Sequence, residues 1–231
     1  DILSVRPNIV IGLGGQALQA LTGLGGIDKR RGSLLPSLLV PGTKTLSTYH
    51  PAYVMRVWEA WGLTEHDLRR AKEESTTPEL VVPQRHYYLD PSDDVRQRLV
   101  AEMLGARWLA VDIECWDDHS MACVGFADSA NRALVVPWRP ETIADIELLC
   151  GSSVQKVLQN GNFDSTKLAQ QGITLRNYSW ETMIGHHTLM MESASGQDEM
   201  SVAMGRKKTS VLKKGLAFQV SLYTKRPYYK D

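Results

Sequence analysis

Two acidic residues, Asp112 and Glu114, interrupt the otherwise apolar stretch WLAVDIECWDD, which runs from Trp108 to Asp118. Side chains alternate between the two faces of a β-strand, so both acids are predicted to point to one side and Val111 and Ile113 to the other. Adjacent carboxylates repel each other, and Mg²⁺ and Mn²⁺ prefer hard oxygen ligands of this kind. The stretch therefore indicates either a divalent metal site or an edge strand that carries two solvated acids.

A third acid, Asp164, lies in the segment LQNGNFDSTKL, where a strand is predicted to end at Asn160 and a helix to carry Asp164 on its first turn. Two antiparallel strands, a helix and this strand separate it from the first acids, which places strand end and helix start at one edge of a sheet. Three carboxylates from separate elements can hold two divalent ions about 4 Å apart and activate water for attack on a phosphodiester.

The elements that would position these acids form two α/β halves. In the first, PNIVIGLGGQALQALTG predicts a strand, a glycine turn and a helix of a parallel sheet. In the second, a strand, a helix, the acid-bearing strand and a hairpin precede the remaining α/β elements. The predicted domains are residues 1–75 and 85–231, with the proline-containing residues 76–84 as the linker.

Composition limits the class of protein without naming a partner. The 231 residues are 43% hydrophobic and 23% charged, which is typical of a globular protein. Lysine plus arginine equal aspartate plus glutamate at 26 each, but basic residues cluster at 28–32, 69–72 and 205–215. Such clusters either hold a phosphate backbone or form solvated faces. No apolar run approaches a membrane span, so no membrane partner is expected.

The three cysteines, Cys115, Cys123 and Cys150, are odd in number and lack C-x-x-C spacing. This pattern favours neither a disulfide framework nor a structural zinc site. A reducing, cytoplasmic location is therefore expected.

The stretches VDIE, NGNFD and ETMIGHHTLMM together resemble the 3′–5′ proofreading exonuclease domain of family A DNA polymerases, in the DEDD group of RNase H-like nucleases. The resemblance implies an RNase H-like mixed sheet. It also implies that Asp112, Glu114 and Asp164 are catalytic and bind two Mg²⁺ or Mn²⁺ ions. Asn160 and Phe163 would shape the cleft around a single-stranded 3′ end of DNA.

Three features depart from that family pattern. Cys115 stands where a threonine usually contacts the terminal nucleotide, and Glu181 replaces the aspartate that commonly opens D-T-M. The third motif, Y-x-x-x-D, does not occur downstream of Asp164. We therefore expect the exonuclease domain to be cut short at its C-terminus, close to the final residues YYKD.

His186 and His187 are adjacent and could suggest a metal site. Neighbouring residues on a helix point about 100° apart, so one ion is not expected to bind both. Packing and helix-capping roles are predicted instead.

The first half has its own candidate, His50, in LSTYHPAYVMR. A histidine at a strand end before a helix-starting proline points into the crevice where α/β proteins bind ligands, although it could also cap its own loop. Together with PNIVIGLGGQALQALTG and GIDKRRGS, this segment resembles the C-terminal half of family 4-type uracil-DNA glycosylases. That resemblance covers residues 7 to about 72 and implies that His50 contacts the leaving base.

The order of the two modules resembles that of some phage family A polymerases, in which a polymerase domain follows. The leading hypothesis is thus a proofreading 3′–5′ exonuclease portion of a DNA polymerase, acting in the cytoplasm of a bacterial host. The alternatives are a DNA-binding or architectural fragment with two incomplete catalytic folds, and a uracil-DNA glycosylase if the missing N-terminal half is present.

Overall fold

The computed structural model describes residues 2–118, 120–189 and 215–227. These residues form two compact units. The first unit comprises the described residues of Asp1–Val82 and His186–Asp231, and the second is Pro83–Gly185. The sequence-based prediction instead assigns all of residues 85–231 to one domain, so the two divisions differ in where the C-terminal residues belong.

The first unit is a small α/β body. Its three strands are β1 (Ile9–Leu13), β2 (Leu34–Pro36) and β3 (Lys44–Thr48). Its helices before the second unit are α1 (Ile2–Val5), α2 (Gly15–Thr22), α3 (Ile27–Arg30), α4 (Pro51–Val54) and α5 (Trp61–Glu74), with a 3₁₀ turn at Trp58–Ala60. After the second unit, α10 (Leu216–Tyr223) packs Phe218 and Leu222 into this unit's apolar core.

The sheet of the first unit is only partly parallel. β1 pairs in parallel with β3, as predicted, but β2 pairs with β3 in antiparallel orientation, giving the order β1-β3-β2. The predicted parallel sheet is therefore corrected to a mixed one. The physical reason is that β2 and β3 are joined only by residues 37–43, which reverse the chain and are too few for the crossover that parallel neighbours need.

Each of two predicted basic clusters has one arginine buried inside the first unit, Arg31 in the first and Arg70 in the second. Arg31 is 1% exposed and forms a buried ion pair with Asp67, which is 0% exposed. Arg70 donates to the carbonyl oxygens of Gly32 and Ser221 at 2.8 Å each. These guanidinium groups satisfy buried acceptors, so they are not a surface for a phosphate backbone. Within the third cluster, residues 205–214 lie outside the described residues.

The second unit is built on a larger sheet with helices. Its strands are β4 (His86–Leu89), β5 (Trp108–Cys115), β6 (Met121–Ser129), β7 (Arg132–Pro137), β8 (Gln155–Leu158) and β9 (Tyr178–Glu181). Its helices are α6 (Asp93–Leu104), α7 (Ile143–Gly151) and α8 (Gly161–Gln170), and α9 (Thr182–Leu189) begins in it.

The sheet of the second unit is mixed, with the order β4-β7-β6-β5-β8-β9. β5 is antiparallel to β6 and parallel to β8, and β8 is parallel to β9. One continuous apolar core joins the sheet to α6, α7 and α8 through Leu109, Met103, Leu149 and Leu168, among others. This mixed α/β architecture is consistent with the RNase H-like fold that the sequence predicts.

No described helix combines the length and the apolar character that crossing a membrane requires.

Candidate functional site

Alternation along β5 places its two acids on one face. Val111 and Ile113 are buried in the core, whereas Asp112 and Glu114 between and after them are exposed. The neighbouring strand β6 sets Gly125 opposite Asp112. Since glycine has no side chain, the surface around the Asp112 carboxylate is left open on that side.

Asp164 reaches this strand from α8. Its side chain is 3% exposed, and its Oδ1 accepts a hydrogen bond from the backbone amide of Ile113 at 3.3 Å. Burial, followed by the negative charge of Asp112, raises the pKa of Asp164 to about 6. The predicted convergence of Asp164 with the acidic segment of β5 is thus present in the structure.

Two cysteines lie near these acids. Cys123 lies opposite Glu114 in the β5–β6 register, and burial together with the charges of Glu114 and Asp112 raises the pKa of its thiol. Cys115 is half-buried beside the apolar core, after an irregularity in the register at Glu114. Its proposed contact with a terminal nucleotide stays a prediction.

The donor set suits a hard divalent cation by its chemistry. All three predicted ligands, Asp112, Glu114 and Asp164, offer carboxylate oxygens, and a cation would relieve the repulsion from Asp112 that adds to burial in raising the Asp164 pKa. In the part of the chain that the structure describes, however, no three His, Cys, Asp or Glu side chains form a complete metal-binding group. The ligand set therefore stays a prediction.

The start of α8 carries the two predicted cleft residues. Asn160 adopts the left-handed conformation (φ 60°, ψ 39°) immediately before the helix, and Phe163 is exposed on its first turn. The ammonium group of Lys167 lies 5.5 Å from the centre of the Phe163 ring. Beside Asn160, an open groove of about 260 Å³ is lined by residues of β9 and α9, including the exposed Trp180 and Ile184.

Glu181 accepts hydrogen bonds at the start of α8. In the sequence it stands out only as a departure from the family motif. Its two carboxylate oxygens accept hydrogen bonds from the backbone amides of Asn160 and Gly161, at 2.9 and 2.7 Å. Burial opposes ionisation, but the bonds from the Tyr178 hydroxyl and these amides hold the pKa of Glu181 below its usual range. The feature of the sequence that could have indicated this role is an acidic residue at the end of a strand, directly before a helix.

His50 lies in the other unit, at the end of β3, and is exposed. Its Nδ1 accepts a hydrogen bond from the Ala52 amide at 3.1 Å, so in the neutral ring Nε2 carries the proton. The glycine turn after β1 approaches it closely, because a side chain on Gly14 would place its Cβ 3.1 Å from the His50 Cβ. The structure thus brings the two predicted motifs of the first half to one end of the β1–β3 pair.

The two adjacent histidines diverge, as predicted. His186 is buried, lies 2.9 Å from the Tyr223 hydroxyl through Nδ1, and packs edge-on against Phe218. His187 is exposed. His186 thus packs inside the first unit, and the expectation that the two rings do not share one ion stays a prediction.

Comparison with known proteins gives matches at the level of structure. No protein-family model matches the chain, and no curated protein matches it significantly. Solved structures of RNase D are similar: one from Trypanosoma brucei (18% identity, 39% of this chain and 36% of that chain, TM-score 0.35), and one from Escherichia coli, described as an exoribonuclease involved in structured RNA processing (16% identity, 54% and 35%, TM-score 0.38).

A structure of the EXD2 exonuclease domain, soaked in Mg and dGMP, is similar over 51% of this chain and 67% of that chain (16% identity, TM-score 0.37). The chain spans about a third of the length of the two RNase D chains, at 36% and 35%. These similarities are low in sequence identity and in TM-score. In these comparisons the chain is similar to solved structures of RNase D and of the EXD2 exonuclease domain.

Proposed function

We propose that this chain carries a metal-dependent 3′–5′ exonuclease site that acts on single-stranded 3′ ends of DNA. The observation that supports it is the bond between the Ile113 amide and Asp164. Ile113 stands between Asp112 and Glu114 in β5, so this bond brings the acid of α8 to the acidic segment of the strand. In this proposal, the three carboxylates from the two elements face one location.

In this proposal Asp112, Glu114 and Asp164 hold two Mg²⁺ or Mn²⁺ ions. When bound, such a pair stabilises charge on the attacking and leaving oxygens of a phosphodiester and makes a bound water more acidic. The exposed ring of Phe163 offers a face on which a base can stack, and Asn160 lies beside it at the helix start. These two residues would hold the terminal nucleotide while the carboxylates keep the ions in place.

The wider context is part of the same proposal. We infer a proofreading role within a phage-type family A DNA polymerase, with a polymerase domain following and the cytoplasm of the bacterial host as the location. The support is the resemblance of VDIE and NGNFD to that family. The residues YYKD, at 228–231, lie outside the described residues.

The decisive experiment is degradation of 5′-labelled single-stranded DNA and RNA with Mg²⁺, with Mn²⁺ and with a chelator. Wild type is compared with Asp112→Asn, Asp164→Asn and the matched control Asp94→Asn, which changes an exposed aspartate on α6. We expect a ladder from the 3′ end that requires metal. Loss of a ligand should lower the rate more than about 100-fold, because even outer partners of metal ligands are worth 10- to 100-fold. Cleavage by Asp164→Asn at the wild-type rate would overturn the proposal.

A DNA-binding measurement on the same variants, at several salt concentrations, separates the exonuclease from a purely DNA-binding module. A binding module should hold DNA equally well with Asp112→Asn, and its affinity should fall steeply with salt because phosphate contacts release counterions. Binding that survives in Asp112→Asn, together with absent cleavage in wild type, would favour that alternative.

A second candidate function rests on His50. We propose that its Nε2–H donates a hydrogen bond to a carbonyl oxygen of a flipped uracil, because Nδ1 is engaged by the Ala52 amide. The test is titration of free uracil into the protein, followed by NMR of the His50 ring, with His50→Ala as the control. A ring signal that does not respond to uracil would contradict this role.

A further inference from the structure

We propose that Glu181 is a positioning residue for the predicted metal site, because it locks the start of α8 and thereby fixes where Asp164 meets β5. This inference rests on the proposed exonuclease function and deepens it. It assigns a role to a residue that lies at the end of β9, outside the acidic motifs.

The Glu181 carboxylate is fully engaged by donors. Oε1 accepts from the amides of Asn160 (2.9 Å) and Met183 (2.8 Å), and Oε2 accepts from the Gly161 amide (2.7 Å) and the Tyr178 hydroxyl (2.6 Å). A carboxylate has about four acceptor positions. All are used here, so Glu181 has no position left for a metal ion, and its contribution is to hold the backbone.

The helix start needs an external acceptor. Asn160 occupies the N-cap position of α8, but its side chain makes no capping hydrogen bond, and its left-handed backbone turns the chain sharply from β8 into the helix. The first amides of a helix have no partner within the helix, and a negative charge near them is favourable. Glu181 supplies both the acceptor and the charge from a neighbouring strand.

Gly161 leaves the room that these contacts around Glu181 need. A Cβ at that position would lie 2.7 Å from Cζ of Tyr178 and 2.8 Å from Cβ of Leu158, closer than side chains tolerate. Because Gly161 has no side chain, the Tyr178 ring can lie beside the helix, and its hydroxyl donates a hydrogen bond to Glu181. The junction of β8, α8 and β9 is therefore a single close-fitting unit.

These contacts also determine the position of Asp164, which follows Gly161 by three residues, about one turn of helix. A displacement of the helix start would carry Asp164 away from the Ile113 amide, from which it now accepts a hydrogen bond at 3.3 Å. Buried side chains that orient metal ligands in this way usually change metal affinity strongly when they are lost. Glu181 would therefore set the affinity of the site without touching the ion.

The test is Mn²⁺ binding by titration calorimetry, measured on the whole chain beside its thermal unfolding. Glu181→Gln keeps the size of the side chain but turns an NH₂ group toward N–H or O–H donors. We expect it to weaken Mn²⁺ binding about 10- to 100-fold. Tyr178→Phe, which removes one donor and leaves the carboxylate, should have a smaller effect. Glu147→Gln, at an exposed site on α7, is the matched control and should bind as wild type does.

A further variant separates positioning from loss of stability. Val136→Ala destabilises the core of the same unit at β7, where Val136 is 0% exposed. It should lower the unfolding temperature yet keep Mn²⁺ affinity, and an equal loss of affinity would overturn the inference. Unchanged affinity in Glu181→Gln would overturn the inference alone. Absence of Mn²⁺ binding in wild type would overturn the proposed function and this inference with it.

Discussion

Asp164 accepts a hydrogen bond from the amide of Ile113, a residue 51 positions earlier in the chain, at 3.3 Å. The bond ties the first turn of α8 to the segment of β5 that carries Asp112 and Glu114. This location carries a desolvation cost for Asp164, since the carboxyl group is buried close to another acid. Stability, protonation and metal affinity should therefore be linked at this residue.

The first prediction concerns the pH dependence of the metal-free protein. The pKa of Asp164 is raised by burial and by Asp112 from 3.8 to about 6, so the folded state binds a proton more tightly than the unfolded state does. The Asp164 contribution to the free energy of unfolding should therefore increase as pH falls from about 7 to about 4. Urea unfolding of wild type and Asp164→Asn in a chelator measures it. An identical pH dependence in both proteins would contradict the prediction.

The Glu181 contribution to the free energy of unfolding should depend on pH with the opposite sign to that of Asp164. Hydrogen bonds from Tyr178 and from the amides of Gly161 and Asn160 outweigh burial and hold its pKa below the ordinary 4.5. Its stabilisation is therefore complete above that value and is lost as pH falls through the lower, folded-state pKa. The stability difference between wild type and Glu181→Gln should be largest near neutral pH and should shrink in acid. Urea unfolding between about pH 7 and about pH 3 tests this, and a constant difference would speak against it.

The buried ion pair of the first unit should be worth far more than an exposed one. Asp67 accepts from Nε of Arg31 at 2.8 Å and from the Thr48 hydroxyl at 2.7 Å. Asp67→Ala leaves a buried guanidinium without its partner and should cost about 3 to 5 kcal/mol. Glu65→Ala breaks the exposed pair with Arg69 on the same helix and should cost far less, because solvent screens exposed charges. Equal losses in chemical denaturation would contradict this assignment.

Two glycine substitutions should have opposite effects on stability. Gly161→Ala forces its Cβ against Leu158 and Tyr178 and should cost about 1 to 3 kcal/mol, as overpacking does. At Gly62, on α5, an added Cβ would meet no neighbouring atom within 4 Å, so Gly62→Ala should stabilise by up to about 1 kcal/mol. Thermal unfolding of both variants checks the signs, and a neutral Gly161→Ala would show that the junction adapts.

Local patterns in the sequence were sufficient for the elements that hold the acids. The two-residue period of β5 predicts that Asp112 and Glu114 share a face, and the burial along the strand agrees. The start of the long charged helix α5 follows local preference less closely: threonine favours helix N-caps, yet Thr64 lies inside α5 and donates to the Ala60 carbonyl. A 3₁₀ turn ahead of the helix lets it begin earlier than the cap residue indicates.

The sequence by itself determined which residues are acidic, which strand carries two of them on one face, and where the helix of Asp164 begins. Only the tertiary structure decided that Asp164 meets Ile113, that Glu181 closes the start of α8, and that Arg31 and Arg70 are buried. The periodicity of strands and helices is a local property of the chain, so a short stretch of sequence is enough to predict it. Partners 20 or more residues apart, such as Gly161 and Glu181, depend on how strands pair and helices pack, which no short window contains.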